Sequence, residues 1–271
     1  MIKQAIIPLA GLGTRMLPLT SVIPKELLPI NGKPNIEYIM EECIQAGIKQ
    51  FIFVISKDKL NIKKYFYNDK FYKKIIKKKR NKIIKDHYTR LKKYQKMIKF
   101  VYQDKPKGTG DAVVRCQKYI TGKYFLMLLP DDLIIKKNCT KEMLSLFKKL
   151  NSSIIATMRV NPKTVSRWGI LSLKNKKKNY FQITDVIEKP KKKESPSNYA
   201  IIGRYILPKL IMKEITKLKP GRGNEIHITD AIKNLLNKSE KFYGNIFKGK
   251  YLDCGTLNGY IKSSLETSKL K

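Results

Sequence analysis

The chain has 271 residues, of which 42% are hydrophobic, and 58 basic side chains face 21 acidic ones, a formal net charge of +37. A chain of this length buries a large core without disulfides or metals to staple it. No apolar run approaches the ~20 residues of a membrane span, which excludes an integral helical membrane protein. The charge is almost all lysine: fifty Lys stand beside eight Arg, with 35 Ile and only seven Ala. That skew follows AT-rich codons, whereas a surface selected for phosphate or base readout favours arginine's bidentate fork. The excess therefore reads as lysine spread over solvated faces, with anionic small molecules rather than nucleic acid or membrane as partners. Cys43, Cys116, Cys139 and Cys254 stand far apart with no CxxC pair, as expected of reduced thiols in a cytoplasmic protein. Met1-Ile2-Lys3-Gln4 leads straight into an apolar run, with no signal-peptide hydrophobic region or cleavage site.

Residues 4–9 form a short apolar run that fits a buried strand, broken by the loop Ala10-Gly11-Leu12-Gly13-Thr14-Arg15. Pro34 stands where a helix starts, Ile36, Ile39, Met40 and Cys43 recur at helical spacing, and Gly47 supplies the stop. Residues 50–55 are the next apolar strand. Strand, helix, strand within about fifty residues is a βαβ unit, so a parallel sheet is expected. Residues 57–97 are dominated by lysine and tyrosine without Gly or Pro and read as one or two exposed helices inserted after the second strand. A strand over 98–103, a second glycine loop (Lys107-Gly108-Thr109-Gly110) and a helix over 111–119 resume the rhythm. The strongly apolar strand 124–129 ends in Pro130-Asp131-Asp132, and a helix near 141–150 and a strand over 153–160 follow. The second half turns β-rich: a hairpin over 168–173 and 181–187, strands at 199–206 and 251–254, and helices at 228–236 and 257–265. No internal repeat interrupts this pattern.

A strand ending in Gly-x-Gly-Thr-Arg aims several backbone N–H groups into a tight turn, a cradle for phosphate oxygens. No Gly-Lys-Ser/Thr follows it, so it is not a P-loop. Arg15 and Met16 stand where the dinucleotide fingerprint has its third glycine. Alone, the loop fits a phosphate site or an ordinary turn. Arg15 and Lys25, ten residues apart in proline-bounded backbone, can converge on one polyphosphate. Asp131 and Asp132 follow the most apolar strand at the carboxyl end, where α/β ligands bind, and a carboxylate there is a hard oxygen ligand; charge alone does not choose between the two, and Asp132 reads also as the N-cap of a following turn. Trp168 reads as core. His87 and His227 lie in unrelated contexts, and no nucleophile–base arrangement is visible.

Gly11-Leu12-Gly13-Thr14-Arg15-Met16-Leu17-Pro18 with Pro24-Lys25-Glu26-Leu27-Leu28-Pro29 resembles the nucleotidyltransferases that activate sugar 1-phosphates, and within them the uridylyl branch. The likeness continues through Lys107-Gly108-Thr109-Gly110-Asp111-Ala112-Val113, Leu129-Pro130-Asp131-Asp132, Val186-Ile187-Glu188-Lys189-Pro190, Ala200-Ile201-Ile202-Gly203-Arg204-Tyr205, the segment from Asn224 to Ile232, and Asp253-Cys254-Gly255. The resemblance implies one α/β domain spanning residues 1–271: a Rossmann-like, mostly parallel mixed sheet flanked by helices, with a nucleotide-binding half (1–135) and a β-rich sugar-phosphate half (136–271). It implies transfer of UMP from UTP to glucose 1-phosphate without a covalent intermediate, and no nucleic-acid partner. Arg15 and Lys25 would act on the phosphates; Ala10, Gly11, Leu12, Gly13, Thr14, Glu26, Gln103 and Gly108 would hold the nucleotide. Gly169, Glu188, Lys189 and Gly203 would hold the sugar phosphate, while Asp131 and Asp253 would bind Mg2+. A homo-oligomer, dimer or tetramer, is the family's habit. The alternatives are a thymidylyl- or cytidylyltransferase on the same fold, or an RNA-binding protein that uses the tyrosines of 57–97 for stacking.

Overall fold

The computed structural model describes residues 1–269. The first half contains β1 (Gln4–Pro8), the short β2 (Pro29–Ile30) and β3 (Lys33–Pro34), α1 (Asn35–Gln45) and β4 (Gln50–Ile55). There follow α2 (Leu60–Phe66), α3 (Asp69–Lys79), α4 (Lys82–Gln95), β5 (Ile98–Tyr102), α5 (Thr109–Val114), β6 (Tyr124–Leu128) and β7 (Asp132–Ile135). The second half contains α6 (Cys139–Leu150), β8 (Ser153–Arg159), β9 (Gly169–Lys174), β10 (Tyr180–Glu188) and β11 (Tyr199–Pro208). It ends with α7 (Ile211–Ile215), α8 (Ile228–Asn237), β12 (Phe242–Ile246), β13 (Lys250–Asp253) and α9 (Leu257–Ser268).

One nine-stranded sheet runs through both halves in the order β5-β4-β1-β6-β11-β8-β12-β10-β9. β5, β4, β1 and β6 are mutually parallel, as helical crossovers require. β11 enters antiparallel between β6 and β8, β12 lies parallel to β8, and β10 and β9 close the sheet as an antiparallel hairpin. That hairpin carries a register shift between Ile183 and Asp185.

The apolar runs explain the layers. Phe51 through Ile55 are all fully buried, so β4 is covered on both faces. Its side chains alternate between two cores: Phe51, Phe53 and Ile55 pack with α1 through Ile36, Ile39, Met40 and Cys43. Ile52 and Val54 face the opposite layer, where α8 contributes Ile228, Ala231, Ile232 and Leu235. Each fully buried side chain of this size contributes roughly 1.5–3 kcal/mol of transfer free energy.

The lysine-rich segment departs from its expectation. It folds as three helices, α2 to α4, and Ile62, Phe66, Leu91 and Tyr94 are buried in the α1-side core, with Phe66 meeting Phe53 at 5.7 Å between ring centres. α3 buries no residue and carries lysine along its solvated length. The tyrosines hold the insertion together: Tyr72 stacks on Tyr88 at 5.3 Å, and Tyr65 donates a hydrogen bond to the buried Glu37 of α1. The expected helix at 111–119 is also shorter: α5 ends at Val114 and a separate turn follows over Gln117–Tyr119.

Candidate active site

The site lies past the carboxyl ends of β1 and β6. After β1 the chain turns through Gly11 to Arg15; Gly13 adopts φ +71° and its carbonyl accepts a hydrogen bond from the Thr20 hydroxyl at 2.9 Å. No atom lies within 4 Å of where a side chain on Gly11 would begin, so that backbone faces open space. Pro24 opens a tight turn over Lys25–Leu27, and its first two side chains point apart. Lys25 Nζ reaches Asp131 Oδ2 at 2.6 Å, while both carboxylate oxygens of Glu26 meet Lys59 Nζ at 2.9 Å. Arg15 approaches the same Asp131 oxygen at 3.3 Å. The two cations of the first motif therefore converge on one carboxylate.

The loop bearing that carboxylate is pinned by four hydrogen bonds. Leu129 N–H donates to the Gly203 carbonyl at 2.6 Å, and Asn35 donates to the Pro130 carbonyl at 2.6 Å. Cys254 N–H donates to the Asp131 carbonyl at 2.8 Å, and Arg204 Nη1 to the Asp132 carbonyl at 2.5 Å. Arg204 is fully buried and carries a second set of bonds to Glu42 of α1, at 2.6–3.1 Å. β13 pairs with β7 so that Asp253 lies opposite Asp132, bringing the C-terminal aspartate to the acidic loop.

These contacts decide the charges. Burial works against an ionised Asp131, but Lys25 and Arg15 outweigh it and hold the carboxyl below its usual range. Burial likewise opposes the Lys25 charge, and Asp131 and Glu26 more than restore it, raising the ammonium's pKa. Asp132 does not cap a turn as expected. It is the first residue of β7, its Oδ1 accepts from the Tyr251 hydroxyl at 2.7 Å, and burial together with the Asp131 charge pushes its carboxyl up to about 7. Competition for counter-charge separates the two neighbours: Lys25 and Arg15 reach Asp131, while Asp132 points toward a phenol. Asp253 is held by Arg167 Nη2 at 3.3 Å and accepts from the Gly255 N–H at 2.9 Å.

Two cavities meet at this loop. The smaller, about 310 Å3, is lined by Ala10, Gly11, Lys25, Glu26, Gln103 and Gly108 among others. The larger, about 500 Å3, is lined by Gly169, Glu188, Lys189, Gly203 and Asp253, with Trp168 and Tyr251 beside them. Arg15 and Asp131 line both. Leu12, Gly13 and Thr14 form the outer part of the glycine loop and line neither cavity. Gln103 follows β5 and donates its amide to Asp111 at 2.6 Å and to the Gly108 carbonyl at 3.2 Å, which ties the second glycine loop to the strand end. Gly108 has φ +96°, and a side chain there would meet the Ile226 backbone at 2.6 Å, so only glycine lets the two loops dock. Glu188 accepts from the Thr229 hydroxyl at 3.1 Å, and Lys189 Nζ lies 3.6 Å from its other oxygen.

Several residues at the site escaped the sequence reading. Thr229 and Tyr251 lie inside or beside segments already singled out, yet nothing in their type marked them. Arg167 was readable as one of eight arginines. Lys59 carried no signal at all among fifty lysines.

Mg2+ is satisfied by one or two carboxylates shared with substrate phosphates, without a dedicated protein cage. Among the described residues no three His, Cys, Asp or Glu side chains gather as a metal cluster. Asp131 and Asp253 both face the larger cavity, and the backbone bond from Cys254 to Asp131 joins their loops, so the donor set fits such an ion.

A mixed sheet with a phosphate-cradling loop, two adjoining cavities and a carboxylate flanked by cations between them defines a phosphoryl-handling α/β transferase. A family model described as nucleotidyl transferase matches residues 4–269, and the chain belongs to that family. It is 36% identical over 274 residues to UTP–glucose-1-phosphate uridylyltransferase 2 of Streptococcus pyogenes, an alignment covering 98% of this chain and 90% of the relative. Among solved structures it is similar to a UDP-glucose pyrophosphorylase complexed with UDP-glucose, with TM-score 0.87, 35% identity and full coverage of both chains. It is similar also to the UTP-bound UGPase of Acinetobacter baumannii, with TM-score 0.88, 30% identity and coverage of 98% and 93%. Within the family, its relatives place it in the branch of the UTP–glucose-1-phosphate uridylyltransferases.

Proposed function

We propose that this protein transfers UMP from UTP to α-D-glucose 1-phosphate, giving UDP-glucose and pyrophosphate. The observation that carries the reading is the convergence of Arg15 and Lys25 on Asp131 at the junction of two cavities. The relatives named above, one solved with UTP and one with UDP-glucose, support the choice of substrates.

The smaller cavity takes UTP, with the triphosphate at the open Gly11 backbone and the base toward Glu26 and Gln103. The larger takes glucose 1-phosphate, with its hydroxyls on Glu188 and its phosphate near Lys189. Gly169 and Gly203 leave room for the ring. A phosphate oxygen of the sugar attacks the α-phosphorus of UTP; the new O–P bond forms as the bond from that phosphorus to the bridging oxygen of the β-phosphate breaks, and pyrophosphate leaves. No proton need move, so catalysis rests on positioning and on cations aimed at the phosphates. Lys25 and Arg15 leave Asp131 for the incoming phosphates, which carry more negative charge than the carboxylate they replace. Asp131 and Asp253 would then hold Mg2+, which supplies charge neutralisation across the phosphates. We extend the reading to a cytoplasmic enzyme that works as a dimer or tetramer.

Pyrophosphate release tests it. Purified protein is assayed with Mg2+ and glucose 1-phosphate against UTP, dTTP and CTP, with an EDTA control. Release with UTP alone, abolished by EDTA, is expected. Release with dTTP or CTP in its place overturns the base assignment, and EDTA-resistant release overturns the metal.

A further inference from the structure

Lys59 and Glu26 form an ion pair between two segments far apart in the sequence. Lys59 follows β4 at the mouth of the lysine-rich insertion, just before α2; Glu26 follows Lys25 in the phosphate motif. Lys59 Nζ sits 2.9 Å from each oxygen of Glu26, and the two residues are only 7% and 1% exposed. Of the charged side chains lining the smaller cavity, Arg15, Lys25 and Asp131 engage one another, whereas Glu26 lines it with Gln103 and Ala10 and pairs with Lys59 from outside it. Burial depresses the Lys59 pKa, and the Glu26 carboxylate is the first charge acting to restore it.

We propose that Lys59 is a positioning residue of the base subsite: its contacts to both carboxylate oxygens orient Glu26 as a hydrogen-bond acceptor, and so make the subsite select uracil over cytosine. This rests on the reading of the smaller cavity as the uridine site. Uracil offers an N3–H donor, whereas cytosine turns a lone pair to the same point. An ionised carboxylate accepts and cannot donate, so it favours the first base and repels the second. Without the ammonium the buried carboxylate loses the partner that holds it in place, turns from the geometry that accepts from N3–H, and the preference falls. Two donors from one ammonium also fix the carboxylate plane, leaving its outer lone pairs for the ligand. The insertion is thereby tied to recognition, since the segment that carries Lys59 is anchored by Ile62 and Phe66 in the core.

The test compares wild type with Lys59→Met, Lys59→Gln, Glu26→Gln and the Lys59→Met/Glu26→Gln double variant. Thermal unfolding checks that each is folded, and kcat and KM are measured for UTP and CTP with glucose 1-phosphate saturating. Loss of one charge-assisted hydrogen bond predicts a fall of roughly tenfold or more in the UTP-to-CTP ratio of kcat/KM. The fall should lie more in KM for UTP than in kcat, as when uniform binding is lost. The double variant should fall no further than Glu26→Gln. A structural prop would lower the melting temperature and leave the ratio alone. If both Lys59 variants keep the wild-type ratio while Glu26→Gln loses it, the positioning role is overturned and the uridine site stands. If Glu26→Gln also keeps the ratio, the uracil contact itself is wrong and the proposal falls with it.

Discussion

Arg204 offers the sharpest test of how the acidic loop is held. Its guanidinium is fully buried, makes three bonds to Glu42 at 2.6–3.1 Å and one to the Asp132 carbonyl. Arg204→Met keeps most of the volume and strands the Glu42 carboxylate, whose other donors are the Thr140 N–H and hydroxyl at 3.0 and 2.7 Å. Breaking a buried pair from one side costs about 3–5 kcal/mol. A chain of this length unfolds with an entropy near 0.6 kcal/mol per degree, so the melting temperature should drop by roughly 5–9 °C. Adding Glu42→Gln removes the stranded charge while keeping an acceptor for Thr140, and should recover a large part of the loss. The assay is urea unfolding of the single and double variants, followed by fluorescence of Trp168. A single-variant loss under about 1 kcal/mol, the size expected of an exposed pair, would refute the argument. So would a double variant no more stable than Arg204→Met.

Three further outcomes follow from the site. Asp131→Asn should abolish turnover and, because it strands the Lys25 ammonium that pairs with this carboxylate, lower the melting temperature by several degrees without unfolding the chain; retained turnover in the same pyrophosphate assay would remove Asp131 from the metal site. Lys25→Met should lower kcat more than it raises KM for UTP, since its charge acts as the phosphates part, and an unchanged rate would exclude it from the mechanism. Gly203 has φ +29°, and a β-carbon there would lie 2.1 Å from Asp132 Oδ2 and 2.9 Å from the Leu129 β-carbon. Gly203→Ala should therefore destabilise by about 1–3 kcal/mol from overpacking and raise KM for glucose 1-phosphate; an unfolding curve and KM both matching wild type would refute the close approach.

The fold was legible where the chemistry is periodic. The apolar run of β4 and the spacing of Ile36, Ile39, Met40 and Cys43 reproduce the observed strand and helix, because burial on two faces or one face leaves a readable pattern. The insertion was misjudged because its buried positions, Ile62, Phe66, Leu91 and Tyr94, are diluted among lysines whose long stems tolerate many environments. Asp132 was misjudged for another reason. Capping is a local inference, whereas its partner Tyr251 arrives from 119 residues away through a strand pairing that no local rule contains. Glu26 shows the same limit: its sequence neighbour Lys25 turns away to Asp131, and its true counter-charge is a lysine from another element.

The arginines show what a biased composition still lets through. In a chain drifted to lysine, five of the eight arginines stand against a carboxylate. Arg15, Arg90, Arg115, Arg167 and Arg204 each face a carboxylate in the structure, at Asp131, Glu37, Asp111, Asp253 and Glu42. Two of these carboxylates are the proposed metal ligands, and two more, Glu37 and Glu42, anchor α1 to the insertion and to the acidic loop. A planar fork can satisfy two acceptors at once, which a single ammonium does less well. Arg15 and Arg167 stand at the two proposed metal ligands, so the scarce arginines flank both carboxylates of the proposed junction, Arg167 from a position that no motif contains.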